Sequence, residues 1–255
     1  MKLLRSVLSL LVIGMVAVLL NACTLNSAEL EQQQQDNQAA AEYNVDLGVA
    51  YLRQGNTERA QLKLNRALQQ APNSSSVYNA LAYFAEKTAQ PDKAKTYYEK
   101  AIALDPQAGA PENNYGAFLC RQGKYQQAQH HFKAAINKPN YIKVANAYQN
   151  AGLCAVRAGD KNLAEHYFKR AVAQDPQLWP ALYQLAKLAY EKKRYQEANQ
   201  YLARYVLLNK QPEPEVLWLA IQVARGLGDH QQAQHFVTLL KTRFPQSEQA
   251  QHLKK

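Results

Sequence analysis

Beyond Leu20 the chain has no apolar run of the roughly 20 residues that a transmembrane helix needs, which argues against an internal membrane span. Cysteine is scarce: Cys23, Cys120 and Cys154 form no C-x-x-C pair and have no activating base beside them, so thiol–disulfide exchange is a weak reading. His130, His131, His166, His230, His235 and His252 stand without a partner cysteine or carboxylate at ligand spacing, and no metal is expected. Paired acids give no general acid–base site either. Glu29 and Glu31 lie in a glutamine-rich segment, and Asp105-Pro106 and Asp175-Pro176 read as turns. The expectation is therefore no enzyme, no cofactor and no small-molecule substrate. Acid is the scarcer charge, 20 acidic residues against 30 basic for a formal +10. The basic residues Lys93, Lys95, Lys133, Lys161, Lys169 and Arg170 are nevertheless spread along the chain, not gathered into one stripe, so no nucleic-acid partner is expected. The cluster Lys192-Lys193-Arg194 reads as a complement to a helix C-terminus.

What the chain does have is a period. Ala60, Ala94, Ala128, Ala164, Ala198 and Ala233 recur at intervals of 34 to 36 residues. Each has a bulky residue four positions on (Leu64, Tyr98, Phe132, Phe168, Leu202, Val237), and most have a small residue twelve positions back (Gly48, Ala82, Gly116, Gly152, Ala186). Pro72, Pro106, Pro176 and Pro245 follow twelve positions later. Two antiparallel helices approach closely only where small side chains meet, and proline ends the second helix of each pair. The pattern resembles the tetratricopeptide repeat. That resemblance implies an all-α solenoid, a right-handed superhelix of six helix-turn-helix units over 41–247: 41–74, 75–108, 109–144, 145–178, 179–213 and 214–247. Repeat three carries a two-residue insertion around Pro139 to Lys143, and Ile221 occupies the small-residue position of the last unit. Residues 248–255 read as a polar C-terminal cap.

The N-terminus is of another kind. Lys2 and Arg5 precede an apolar run from Val7 to Leu20, then Leu20-Asn21-Ala22-Cys23. This reads as a signal peptide, 1–22, and resembles the bacterial lipoprotein processing site. It implies a lipid-carrying Cys23 that anchors the mature chain to a membrane. Thr24 after the cysteine favours the outer membrane, periplasmic face, by resemblance to enterobacterial sorting rules. Residues 23–40 have few bulky apolar side chains and read as a flexible tether of on the order of 20–25 Å, although their Glu, Gln and Ala content also suits a backward extension of the first helix. With Cys23 lipidated, Cys120 and Cys154 remain as a pair. They fall two positions apart in the repeat frame on neighbouring first helices, where a disulfide is geometrically plausible and two buried free thiols are the alternative.

A solenoid of this kind binds along its stacked first helices. The repeat frame places Val45, Val49 and Leu52 on that surface from repeat one, Asn79 and Tyr83 from repeat two, and Asn113, Ala117 and Arg121 from repeat three. Gln149, Leu153, Tyr183 and Lys187 continue it. An apolar patch in repeat one, with Leu52 exposed, then gives way to amides suited to a bound backbone. The chain's 16 tyrosines read mainly as interhelix packing.

Repeat three is more specific than its frame requires: Asn113-Asn114-Tyr115-Gly116-Ala117-Phe118-Leu119-Cys120, then Gly123-Lys124-Tyr125. This run, the insertion after it and Cys154 within Asn150-Ala151-Gly152-Leu153-Cys154 resemble the type IV pilus biogenesis and stability lipoproteins of the PilF/PilW type. The resemblance implies a pilotin that helps the outer-membrane secretin of the type IV pilus to localise and form its ring. An outer-membrane repeat lipoprotein that scaffolds cell-wall (peptidoglycan) enzymes is the alternative, sharing all but the Asn113–Cys120 run.

Overall fold

The computed structural model describes residues 29–253, and every regular element among them is a helix. The chain divides into two compact units, Met1–Pro106 and Gln107–Lys255. Cys23 and the leader lie outside the described residues.

The first unit holds two helix pairs: α1 (29–53) with α2 (Thr57–Gln70), and α3 (Ser75–Lys87) with α4 (Pro91–Leu104). Gly48 is where α1 and α2 touch, since a Cβ there would stand 2.7 Å from Leu64 Cγ. Ala60, Leu64 and Ala67 are fully buried against it. One cluster joins the two pairs, with Ala41 and Val45 of α1 meeting Val77, Tyr78 and Leu81 of α3, and Val49 packed against its edge. Residues 29–40 do not form a flexible tether: they continue α1 as helix, with side chains 29–39 exposed. Its inner end is fastened, because Glu42 accepts from Ser76 at 2.8 Å and Gln38 donates to Ser74 at 3.4 Å.

The second unit has four pairs: α5 (Gly109–Arg121) with α6 (Tyr125–Ile136), α7 (Val144–Arg157) with α8 (Lys161–Gln174), α9 (Trp179–Glu191) with α10 (Tyr195–Leu208), and α11 (Pro214–Gly226) with α12 (His230–Arg243). Gly116 and Gly152 admit Phe132 and Phe168, whose rings lie 3.0 and 2.7 Å from where a Cβ would be. In the insertion, the Tyr141 ring lies so closely against Gly109 that it leaves no room for a Cβ there, and burial pushes the Tyr141 phenol up to about 12. The oversized Ile221 is accommodated in a core with Leu217, Val237 and Leu240, which the short α13 (Glu248–His252) closes through Ala250. Ser247 caps α13 by accepting from the Ala250 N–H at 3.2 Å.

Candidate interaction surface

The first helices α5 and α7 run side by side, so residues at equal repeat positions share one face. Cys120 and Cys154 cross-link α5 to α7 there, with their Cα atoms 5.7 Å apart. Asn150 donates to Asn113 Oδ1 at 3.0 Å one turn and more further back, and Asn113 donates in turn to Asn114 Oδ1 at 3.3 Å. Asn113 is only 5 % exposed. Its amide holds the two helices together and is not offered to a partner, which corrects the sequence expectation at this position.

The apolar patch of repeat one is also corrected. Val45 and Leu52 are each 7 % exposed, and Val49 is half-buried against the core shared with α3. The next repeat covers Val45 and Val49, and Leu52 is buried as well, so no apolar patch awaits a partner. Asn79 and Tyr83 are half-buried, with Lys87 lying over the Tyr83 ring at 5.5 Å. In the second unit Arg121 and Lys187 are exposed, and Ala117, Gln149, Leu153 and Tyr183 are half-buried. Burial, then the nearby carboxylates of Glu215 and Glu213, push the Tyr183 phenol above its ordinary value.

Three features escaped the sequence reading. His131 does have a carboxylate partner: its Nδ1 lies 2.7 Å from Glu112, itself only 8 % exposed, and its ring is 4.5 Å from that of Tyr115. Lys192 and Arg194 do more than face a helix C-terminus. Both donate to Glu165 of α8 at 2.7 Å, and Lys169 joins at 2.8 Å. Burial alone would raise the Glu165 carboxyl, but Arg194, Lys169 and Lys192 outweigh it and lower the group from 4.5 to about 2. The third is an open cleft between α6 and α8. Apart from the i,i+4 pair Lys169–Glu165, the ion-pair partners stand 19 to 29 residues apart: Glu112 and His131 meet when α5 packs on α6, and Lys192 and Arg194 reach Glu165 only once successive repeats stack.

Family models described as tetratricopeptide repeat match residues 45–74, 75–108, 107–177 and 155–217. The chain belongs to the tetratricopeptide repeat family. Among relatives of this repeat protein, an uncharacterized protein of Haemophilus influenzae is 38% identical over 138 residues, 54% of this chain and 75% of the relative. The type IV pilus assembly protein PilF of Pseudomonas aeruginosa is 29% identical over 203 residues, 80% of each chain. The solved structure of Pseudomonas aeruginosa PilF superposes with a TM-score of 0.74 at 27% identity, covering 86% of this chain and 98% of that one. PilW, described as a widely conserved type IV pilus biogenesis factor, gives 0.73 at 27% identity, covering 84% and 98%. The chain is thus a tetratricopeptide repeat protein homologous to PilF and similar in structure to PilF and PilW. That similarity supports a role in pilus assembly.

Proposed function

We propose that the chain is a pilotin, an outer-membrane lipoprotein that binds the secretin of the type IV pilus and supports its localisation and multimerisation. It acts by binding, without turnover. The observation that carries the reading is the span of the similarity: the chain aligns with 80% of PilF and superposes on nearly the whole of the solved PilF and PilW chains. The run Asn113–Cys120 fits this role as a scaffold. Tyr115, Phe118, Leu119 and Cys120 are all buried, so α5 holds a rigid first-helix surface in place. Secretin contact is assigned to the accessible part of that surface, Ala117, Arg121, Gln149, Leu153, Tyr183 and Lys187.

The test is made in the cell that carries the protein. Deleting the chain should reduce heat-stable secretin multimers and surface pili, and the intact gene should restore both. Arg121→Glu with Lys187→Glu should reproduce the loss while the protein stays folded and at normal abundance. Wild-type multimers and pili in the deletion strain overturn the proposal; normal multimers in the double variant alone overturn only the assigned surface.

A further inference from the structure

On the second-helix side, Lys133 of α6 and Arg170 of α8 carry positive charge that pairs with no carboxylate among the described residues. Between Glu112 and Asp160 the sequence has no acidic residue, while Lys124, Lys133, Lys138 and Lys143 fall within that stretch. There α6 and α8 flank an open cleft of about 640 Å³, lined by Gln126, Gln129, Lys133, Tyr148, His166 and Tyr167 among others, none of them acidic. A volume of this order is that of a ligand site. Arg170 adds a second permanent cation one turn beyond His166 on α8. It donates to the Tyr148 hydroxyl at 3.3 Å and lies 5.5 Å from the centre of that ring. One repeat later the corresponding cations are neutralised, with Lys169, Lys192 and Arg194 sharing Glu165 and Glu197 at 2.7 to 3.6 Å. The contrast lies within one unit, so it is a local property of this cleft and not a consequence of net charge.

We propose that the cleft binds an acidic peptide segment of a partner protein, with carboxylates on Lys133 and Arg170 and an apolar side chain against Tyr148 and Tyr167. The amides favour a peptide over a phosphate-bearing ligand. Gln126 and Gln129 offer both donors and acceptors, which a backbone uses and a phosphate, an acceptor only, does not. Gln129 is committed on one side, its Nε2 donating to Ala151 O at 3.3 Å, while its buried Oε1 has no hydrogen-bond partner among the described residues. A backbone N–H of a bound segment is the kind of donor that this oxygen lacks. The stripe from Gln126 to Asn137 along α6 runs about 16 Å at the helical rise, the length of an extended segment of about five residues. This site lies on the opposite helices from the first-helix surface, so it is a second docking point that stands whether or not the secretin assignment holds.

The probe is a fluorescein-labelled octapeptide of alternating glutamate and leucine, titrated by fluorescence anisotropy into the full chain in detergent, with its glutamine counterpart as the neutral probe. The acidic probe should bind saturably, and Lys133→Glu with Arg170→Glu should weaken it at least tenfold without changing the circular dichroism spectrum. Arg66→Glu with Lys93→Glu, an equal change of charge on α2 and α4, should leave the affinity within twofold. Absent saturable binding, equal binding of the neutral probe, or equal loss in the control pair each overturns the proposal. So does binding of phosphatidylglycerol vesicles with the same dependence on Lys133 and Arg170, which would make the cleft a lipid contact.

Discussion

Leu52 and Asn113 sit at positions where the repeat frame turns a side chain toward a partner, yet both are spent inside the molecule. Leu52 is 7 % exposed and Asn113 5 %. A carboxylate forced into the place of Leu52 would be desolvated. Val49→Glu with Leu52→Glu should therefore cost several kcal/mol, on the order of 3 or more, and lower both the melting temperature and the helical signal; an unchanged melting curve would restore the exposed-patch reading. Glu165 shows the opposite case, a charge that stabilises because three cations surround it. Its carboxyl is lowered from 4.5 to about 2. A group whose folded value is depressed contributes stability above its unfolded value and loses it as the pH falls through the folded one, here between about 4.5 and 2. With Arg194 36% exposed and Lys169 48%, solvent screening reduces the full linkage to about 1–2 kcal/mol. Glu165→Gln should show that deficit in urea melts at pH 7 and less than half of it at pH 3. A deficit independent of pH would mean that shape, not charge, is what Glu165 supplies.

The turns between paired helices make the same demand six times and receive two answers. Gly55, Gly123, Gly159 and Gly228 adopt φ between 74° and 83°, while Ala89 and Lys193 occupy the left-handed region at 57°. A side chain there costs about 1–2 kcal/mol, partly offset by the smaller unfolded-state entropy of a non-glycine residue. Ala89→Gly and Lys193→Gly should each add about 0.5–1 kcal/mol, and Gly123→Ala should remove a similar amount, as read from chemical denaturation. The staple from α5 to α7 closes a loop of 34 residues. Replacing Cys120 and Cys154 with serine, or reducing the pair, should cost about 3–4 kcal/mol on the chain-entropy account; alkylation of both thiols in unreduced protein would show that the bridge is absent. At this scale the sequence was informative. The recurring alanines, the glycines twelve positions before them and the bulky residues four positions after them are local facts, and they specify each helix pair. Contacts between repeats are not local. Whether Val45 ends under α3, or Lys192 on Glu165, depends on how successive pairs stack, and the period says nothing about that. The helical continuation through residues 29–40 was open for a related reason: an exposed, glutamine-rich stretch has no apolar face to decide between coil and helix.

For the molecule as a whole, the proposed role needs the repeats held at a membrane, and the residue expected to do so is Cys23. The described helices offer no other anchor, since none is long and apolar enough to cross a bilayer. Lipid attachment at a single cysteine works only if several acyl chains insert together, because one chain gives marginal, reversible binding. Cys23→Ala removes them all at once and alters none of the described residues, so the variant should fold with wild-type stability and separate from the membrane fraction. Labelled palmitate should enter the wild type and not the variant. The two halves of the proposed function then come apart: a soluble variant retains the first-helix surface and should still bind secretin in a purified mixture, while secretin multimers in the cell should fall. Unlabelled wild type, or equal membrane retention of the variant, would disprove the anchor. Normal multimers from a fully soluble variant would show that the chain assists assembly by binding alone, with no need to carry its client to the membrane.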